Sequence, residues 1–509
     1  MTTQTSDNNK RIAKNTLMLY FRMMFLMLIS LYTSRVILQT LGVEDYGIYN
    51  VVGGFVAFLA FLNGSISSST SRFITFALGK GNMQNLKKVF SICLLTHLLI
   101  AVLLLVIAET VGLWFVMNKL IIPEDRMNAA IWVYQCSILS SLIMVWSVPY
   151  NACIIAHEKM SAFAYISIFE AVAKLIIVYI LMIGFIDNLI LYAILLLIVQ
   201  LIIRYLYTRY CHKNFEESRT GFIWDCSLFK EILSFAGWNL WGNLAGALFT
   251  QGVNVILNMF FGPAVNAARG LAVQVQSAVQ LFAVNFQTAI NPQITKSFAN
   301  GDIDYMHVLV CRSTKFTFYL LLCLSLPIMV RTDFILGIWL GRTPEFAAVF
   351  LKLMLIICIV DAMANPLMVS ASATGKVKLY QSVIGGILLL IVPCAYVVLR
   401  LGGVPETVFY VHLVIVVIAC IVRLYIIRPM IRLSIVNYIK NSIMPCLIVG
   451  TFATVLSIGV SDIMPMSSIG SLVTLVITFL ISLVTIVSLG LTSSERQFLL
   501  EKALKILHK

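Results

Sequence analysis

Hydrophobic runs of twenty or more residues follow one another down the chain, interrupted by short polar stretches. About 20 apolar residues suffice for a helix to cross some 30 Å of hydrocarbon. On that criterion the pattern predicts about 14 spans, near residues 15–40, 46–70, 90–116, 128–155, 161–186, 188–209, 236–261, 265–290, 309–331, 346–371, 379–400, 405–428, 441–461 and 467–491. The longest polar interruption, Cys211 to Glu231, contains His212, Lys213, Glu216, Glu217 and Arg219. It divides the chain into an N-lobe (1–210, spans 1–6), a cytoplasmic linker (211–235), a C-lobe (236–428, spans 7–12) and a last segment (429–509) of spans 13–14 plus a cytoplasmic tail. The fold class expected is an all-α polytopic membrane protein.

Composition narrows the reading. Apolar residues make up 60% and charged residues 11% of the 509 positions, whereas soluble domains carry near a quarter charged. The net charge of +14, from 36 Lys and Arg against 22 Asp and Glu, is spread between apolar runs and forms no nucleic-acid-binding patch. Topology explains it. One alternating set of flanks holds 26 Lys and Arg, including Lys10, Arg11, Lys14, Lys87, Lys88, Arg204, Arg209, Lys296, Lys376, Arg428, Lys502, Lys505 and Lys509; the opposite set holds five, Lys119, Arg126, Arg331, Arg342 and Arg400. Cytoplasmic loops carry the excess, so both termini are expected in the cytoplasm. The first span has no cleavage signature after its basic flank and is expected to be retained. The 11 Cys residues show no CxxC pair and are read as buried thiols, neither disulfides nor metal ligands.

An internal repeat is visible. Gly42 and Gly81-Asn82 recur as Gly262 and Gly301-Asp302 at an offset of 220, and Pro149 with Lys159 recurs as Pro366 with Lys376 at an offset of 217. Two matches in the same order indicate duplication. Six spans per copy is an even number, so the copies enter the membrane in the same direction, which predicts two parallel six-helix lobes around a central cavity.

The stretch Leu41-Gly-Val-Glu-Asp-Tyr-Gly-Ile-Tyr-Asn50, the Arg72–Asn82 loop and the 12+2 count resemble the polysaccharide-transporter branch of the superfamily that also contains multidrug exporters and the lipid II flippase. More narrowly, the chain is similar to bacterial O-antigen and exopolysaccharide repeat-unit flippases of the Wzx type. That resemblance implies translocation of undecaprenyl-pyrophosphate-linked oligosaccharide across the bacterial inner membrane by alternating access. It further implies the membrane, the lipid-linked oligosaccharide, a glycan polymerase and a chain-length regulator as partners, and neither nucleic acid nor a cofactor.

Charge within a span costs about 2.5–3.5 kcal/mol at its centre, so each such residue is a candidate. Arg269, Gln276, Gln280, Gln287 and Asn291 fall within about 60° on one helical face of span 8. Asn239, Asn243, Thr250 and Asn254 do the same in span 7, beside the packing motif Gly242-x-x-x-Gly246. Arg22 shares a face with Asn15 and Thr33, while Arg35 lies about 220° away and is expected to snorkel. Guanidinium matches phosphate oxygens bidentately, so Arg22 and Arg269, with Arg72 and Lys174, are the candidate pyrophosphate ligands. Asn243, Asn254, Gln276, Gln280, Gln287 and Asn291 are the candidate sugar-binding and cavity-lining residues. Asp361, Glu170 and Glu109 are candidate ion-coupling acids, although Glu170 and Lys174 have the i,i+4 spacing of a mutually neutralising pair.

Catalytic signatures are missing from the sequence. Thr374-Gly375-Lys376 lacks the earlier glycine of a phosphate-binding loop, no HExxH occurs, and the six His residues are dispersed. An enzyme is not expected, nor is a metal. Two alternatives to the flippase remain: a cation-coupled multidrug exporter, disfavoured because spans 1, 2, 7 and 8 contain no acid, and a non-transporting scaffold of a glycan-assembly complex.

Overall fold

A computed structural model describes residues 3–119, 122–182, 187–219, 221, 223–261, 263–340, 344–493 and 495–497. The end of the 161–186 span, Gly262 of the repeat, and Arg342, Lys502, Lys505 and Lys509 lie outside them. Among the described residues the chain is helical throughout, without strands. Thirteen long helices are α1 (Thr3–Gly79), α2 (Met83–Asn118), α3 (Glu124–Ala156), α4 (Met160–Leu181), α5 (Asn188–Asn214), α6 (Cys226–Phe261), α7 (Pro263–Ala299), α8 (Ile303–Val330), α9 (Ala347–Ala373), α10 (Lys378–Arg400), α11 (Thr407–Ile431), α12 (Ile435–Ile463) and α13 (Ser468–Gly490).

Among the described residues, eleven of these, α2–α6 and α8–α13, are identified as long and apolar enough to cross a membrane. Each coincides with one expected span. The remaining three of the 14 fall in α1, which covers two, and in α7, whose Arg, Gln and Asn residues dilute its apolar character. α6 starts ten residues before its expected span, because the Asp225 carboxylate caps it by accepting from the backbone N–H groups of Ser227 (3.0 Å) and Leu228 (3.1 Å).

α1 is helical over 77 residues, yet its ends lie at the same end of α3. Asn15 Nδ2 donates to the Glu158 carbonyl at 3.2 Å, just past the C-terminus of α3, while Asp45 accepts from Arg126 near the N-terminus of α3. Gly79 returns to the first end: a Cβ placed there would meet Ala299 Cβ at 2.8 Å and Lys296 Cα at 3.1 Å, and Lys296 Nζ is paired with Glu158 at 2.5 Å. A straight helix would separate Asn15 from Gly79 by roughly 96 Å. α1 therefore doubles back near Asp45 and covers both stretches expected as the first two spans.

Contacts divide the chain into two compact units, one of residues 1–240 with 295–301, the other of 241–294 with 302–509. In the first, α1 packs on α3 and α4, and α3 on α5. α2 contains a π-helical turn at Ala108–Gly112. A π turn leaves a carbonyl poorly served by the helix, and the buried Tyr134 hydroxyl donates to Ala108 O at 2.7 Å. In the second unit, α9 and α11 pack through fully buried Phe350 and Phe409, whose ring centroids are 4.6 Å apart.

The repeat is written into the backbone. α1 ends with Gly81 N–H donating to Leu78 O, and α7 with Gly301 N–H donating to Phe298 O, both at 3.1 Å. The two glycines have φ of +70° and +79°, and the following Asn82 and Asp302 side chains cap α2 and α8. The second pair behaves likewise. Glu158 (φ +59°) and Gly375 (φ +78°), 217 positions apart, make the left-handed turns after α3 and α9.

Candidate functional site

In the second unit, α6, α7, α9 and α11 enclose a cavity of about 270 Å³, whose polar lining is Thr250, Arg269, Gln276, Gln280, Asp361 and His412. The polar face of α7 delivers Arg269, Gln276 and Gln280 at successive seven- and four-residue steps. Aromatic and aliphatic groups, among them Phe249, Met354 and Phe409, complete the wall.

Arg269 is only 6% exposed. Its guanidinium donates to Asn254 Oδ1 and, at 3.3 Å, to Thr250 O. The Nε–H has no hydrogen-bond partner, and Arg269 makes no ion pair among the described residues. A buried cation held by neutral acceptors with one donor unserved is poised to receive an anion. Asn254 thus works at one remove, orienting Arg269.

Asp361 lies where α9 breaks: helix runs through Ala362, turns at Met363–Ala364 and resumes at Asn365. Its carboxylate opens to the cavity and is electrostatically coupled to Arg423 of α11. His412, expected among dispersed loop-adjacent histidines, instead sits in α11, lines the cavity and packs edge-on to Phe249 at 5.1 Å. Nothing in its sequence setting marked it, since Val and Ile surround it.

Gln287 lies apart from this cavity's lining. It is 5% exposed and lies off the cavity, its amide donating to Ala362 O at 2.9 Å and to Thr317 Oγ1 at 3.4 Å. Asn291, one turn further, and Asn243, on an exposed part of α6, are likewise absent from the lining.

The first unit gathers a different set. Arg22 stands over the Phe163 ring at 4.4 Å and is electrostatically coupled to Tyr207 and Glu170. Lys174 Nζ meets Glu170 at 2.6 Å, so this lysine is neutralised by its own helix. Arg72 is wrapped by Phe73, Phe76 and Phe235 at 4.5, 4.9 and 5.3 Å, an aromatic anchorage worth about 0.5–2 kcal/mol. Glu109 sits in the π turn of α2 and accepts from Gln135 Nε2 at 3.2 Å.

The described chain thus combines helices long and apolar enough to cross a membrane with a buried arginine and amides around an internal cavity. Comparison agrees. The family model described as polysaccharide biosynthesis protein matches residues 12–298, and the chain belongs to that family. Solved structures share its fold at low identity. A MATE transporter in the straight conformation aligns with a TM-score of 0.72 at 13% identity, covering 84% of this chain and 96% of that one. An outward-facing multidrug resistance MATE family transporter of the MOP superfamily gives 0.69 at 14%, covering 86% and 97%. A MOP superfamily transporter from Pyrococcus furiosus, for which a binding pocket of reverse polarity suggests a different function, gives 0.67 at 15%, covering 84% and 96%. No curated protein matches. The family is the polysaccharide biosynthesis one, and the fold is the one these transporter structures share.

Proposed function

We propose that this protein is a flippase that carries an undecaprenyl-pyrophosphate-linked oligosaccharide repeat unit from the cytoplasmic to the outer leaflet of the bacterial inner membrane, supplying a surface polysaccharide such as O-antigen, capsule or exopolysaccharide. The observation that carries the reading is Arg269, buried beside the cavity with no carboxylate paired to it among the described residues and with an unserved Nε–H. Such a group attracts a pyrophosphate and repels a cationic drug. Gln276 and Gln280 supply amide donors and acceptors for sugar hydroxyls without selecting one sugar.

In this reading the 26-to-5 bias of Lys and Arg puts the end holding Asn15, Glu158 and Lys296 in the cytoplasm. Asp45 and Arg126 then face outward. Spans 1–6 and 7–12 act as two lobes that rock to alternate access, Arg22 offering the N-lobe's cation and Asp361 the exchangeable charge that couples transport to an ion. Glycan polymerase and chain-length regulator act on the delivered product.

The test uses a strain lacking this gene. The reading predicts loss of surface glycan with accumulation of lipid-linked repeat units inside, both reversed by the intact chain. Unchanged surface glycan with raised sensitivity to cationic dyes would instead establish the multidrug reading, which Asp361 in the cavity would then serve.

A further inference from the structure

Among the described residues, a cluster of metal-ligating side chains lies away from the cavity. Cys153 and His157, one helical turn apart at the C-terminal end of α3, converge on Glu217, which comes from the 3₁₀ turn Glu216–Arg219 between α5 and α6. A single oxygen, Glu217 Oε1, accepts from Cys153 Sγ at 3.1 Å and is bonded to His157 Nε2 at 2.6 Å. The three ligand atoms all lie within 4.8 Å of one another. Cys153 and Glu217 are fully buried, 0% and 1% exposed. The Cys211 thiol of α5 neighbours Cys153, donates to Tyr150 O at 3.5 Å and is itself 0% exposed.

We propose that Cys153, His157 and Glu217, with Cys211 in the fourth position, form a structural zinc site that fastens the linker to α3. Thiolate, imidazole and carboxylate together are the donor set of tetrahedral Zn²⁺. Zn–S of about 2.3 Å and Zn–N and Zn–O of about 2.0–2.2 Å place neighbouring ligand atoms roughly 3.3–3.6 Å apart. The present separations of 3.1 and 2.6 Å become zinc distances by an outward shift of under about 1 Å. Binding exchanges the Cys153 and Cys211 thiol protons for one cation, with His157 ligating as a neutral imidazole through Nε2 while Nδ1 carries its proton. The imidazole stacks on Phe215 at 4.1 Å and 12°, which limits its rotation. The cluster sits at the basic end of the chain, which in the orientation above faces the reducing cytoplasm, where clustered thiols serve metals in preference to disulfides.

Sequence reading had set every cysteine aside. The signal was the spacing Cys153-x-x-x-His157, with its third member 60 residues on, in the one long polar interruption.

The experiment equilibrates the purified full-length protein in detergent with Zn²⁺, removes free metal by gel filtration and measures zinc per chain by mass spectrometry. One retained zinc ion per chain is expected for the wild type, falling to background in Cys153→Ser and in Glu217→Gln, with Cys93→Ser as an unaffected control. Co²⁺ in place of Zn²⁺ should show a thiolate charge-transfer band that Cys153→Ser abolishes while the variant still elutes as a single species. Equal zinc in wild type and variants, no retained zinc in the wild type, or recovery of Cys153 and Cys211 as a disulfide in the isolated protein would overturn the site.

Discussion

Gln287 donates its amide to the carbonyl of Ala362 at 2.9 Å, and the reason lies four residues further along α9. Pro366 has no N–H, so Ala362 O has no helical donor, and a side chain from α7 supplies one. Losing that donor leaves a buried carbonyl unserved, at a cost of about 1–3 kcal/mol. Gln287→Leu should therefore lower thermal stability in detergent by several degrees. In the Pro366→Ala background, where the backbone donor returns, the same substitution should cost less, and a coupling of zero in this double-mutant cycle would refute the compensation.

The paired left-handed turns make a second prediction. A Cβ at Gly81 or Gly301 meets nothing within 4 Å, so only their φ values of +70° and +79° resist substitution. Replacing either with Ala should cost about 1–2 kcal/mol, and replacing it with Asn less, because Asn tolerates this region. Equal losses for Ala and Asn, measured by thermal unfolding, would point to packing instead.

Acid should loosen the end of the first unit that carries Arg126. Its guanidinium reaches Asp45 at 2.9 Å and Asp187 at 2.6 Å. Burial pushes the Asp187 carboxyl up, but its bonds to Arg126 and to the Leu189 and Ile190 amides prevail and hold it below the ordinary carboxylate value. A depressed folded-state pKa contributes stability that is complete above the unfolded value near ~3.9 and is lost as pH falls through the folded one. Glu495, paired with Lys315 at 2.7 Å, is lowered in the same way against its burial. Unfolding temperature should hold steady from pH 7 to 5 and drop below about 4, with a shallower drop in Asp187→Asn. An identical acid profile for wild type and variant would remove this pair from the account.

Glu158 is the repeat's odd member, occupying a left-handed position that its partner Gly375 fills without strain. Its buried carboxylate is held by Lys296 at 2.5 Å. Removing one partner of such a pair typically costs 3–5 kcal/mol, far more than the about 1–2 kcal/mol of backbone strain that glycine would relieve. Glu158→Gly should thus be net destabilising; a gain in stability would show that the pair contributes little.

These cases show what the sequence could and could not express. Span positions were legible because length and apolarity are local, and eleven helices match them. The repeat was legible because left-handed turns demand Gly or a capping Asn or Asp at fixed places. The fold-back of α1 was legible as two stretches but not as unbroken helix, since residues 41–45 separate the expected spans 15–40 and 46–70. On α7 one polar face carried Arg269, Gln276, Gln280 and Gln287, yet only tertiary packing divides the first three, which line the cavity, from the last, which serves a proline in another helix. Periodicity reports a face and not its neighbour. His412 and Glu217 escaped for the same reason, their partners being distant in the chain.

The central claim is that buried Arg269 draws an anionic lipid headgroup through the membrane. The most direct measurement reconstitutes the protein in liposomes with a fluorescent polyprenyl-pyrophosphate oligosaccharide and follows its transfer between leaflets, comparing wild type, Arg269→Lys and Arg269→Gln at equal protein incorporation. The account predicts transfer by the wild type, a reduced rate for Arg269→Lys and a rate at least tenfold lower for Arg269→Gln, the loss expected when about 1.4 kcal/mol of charge-assisted binding disappears. Transfer at the wild-type rate by Arg269→Gln would contradict it.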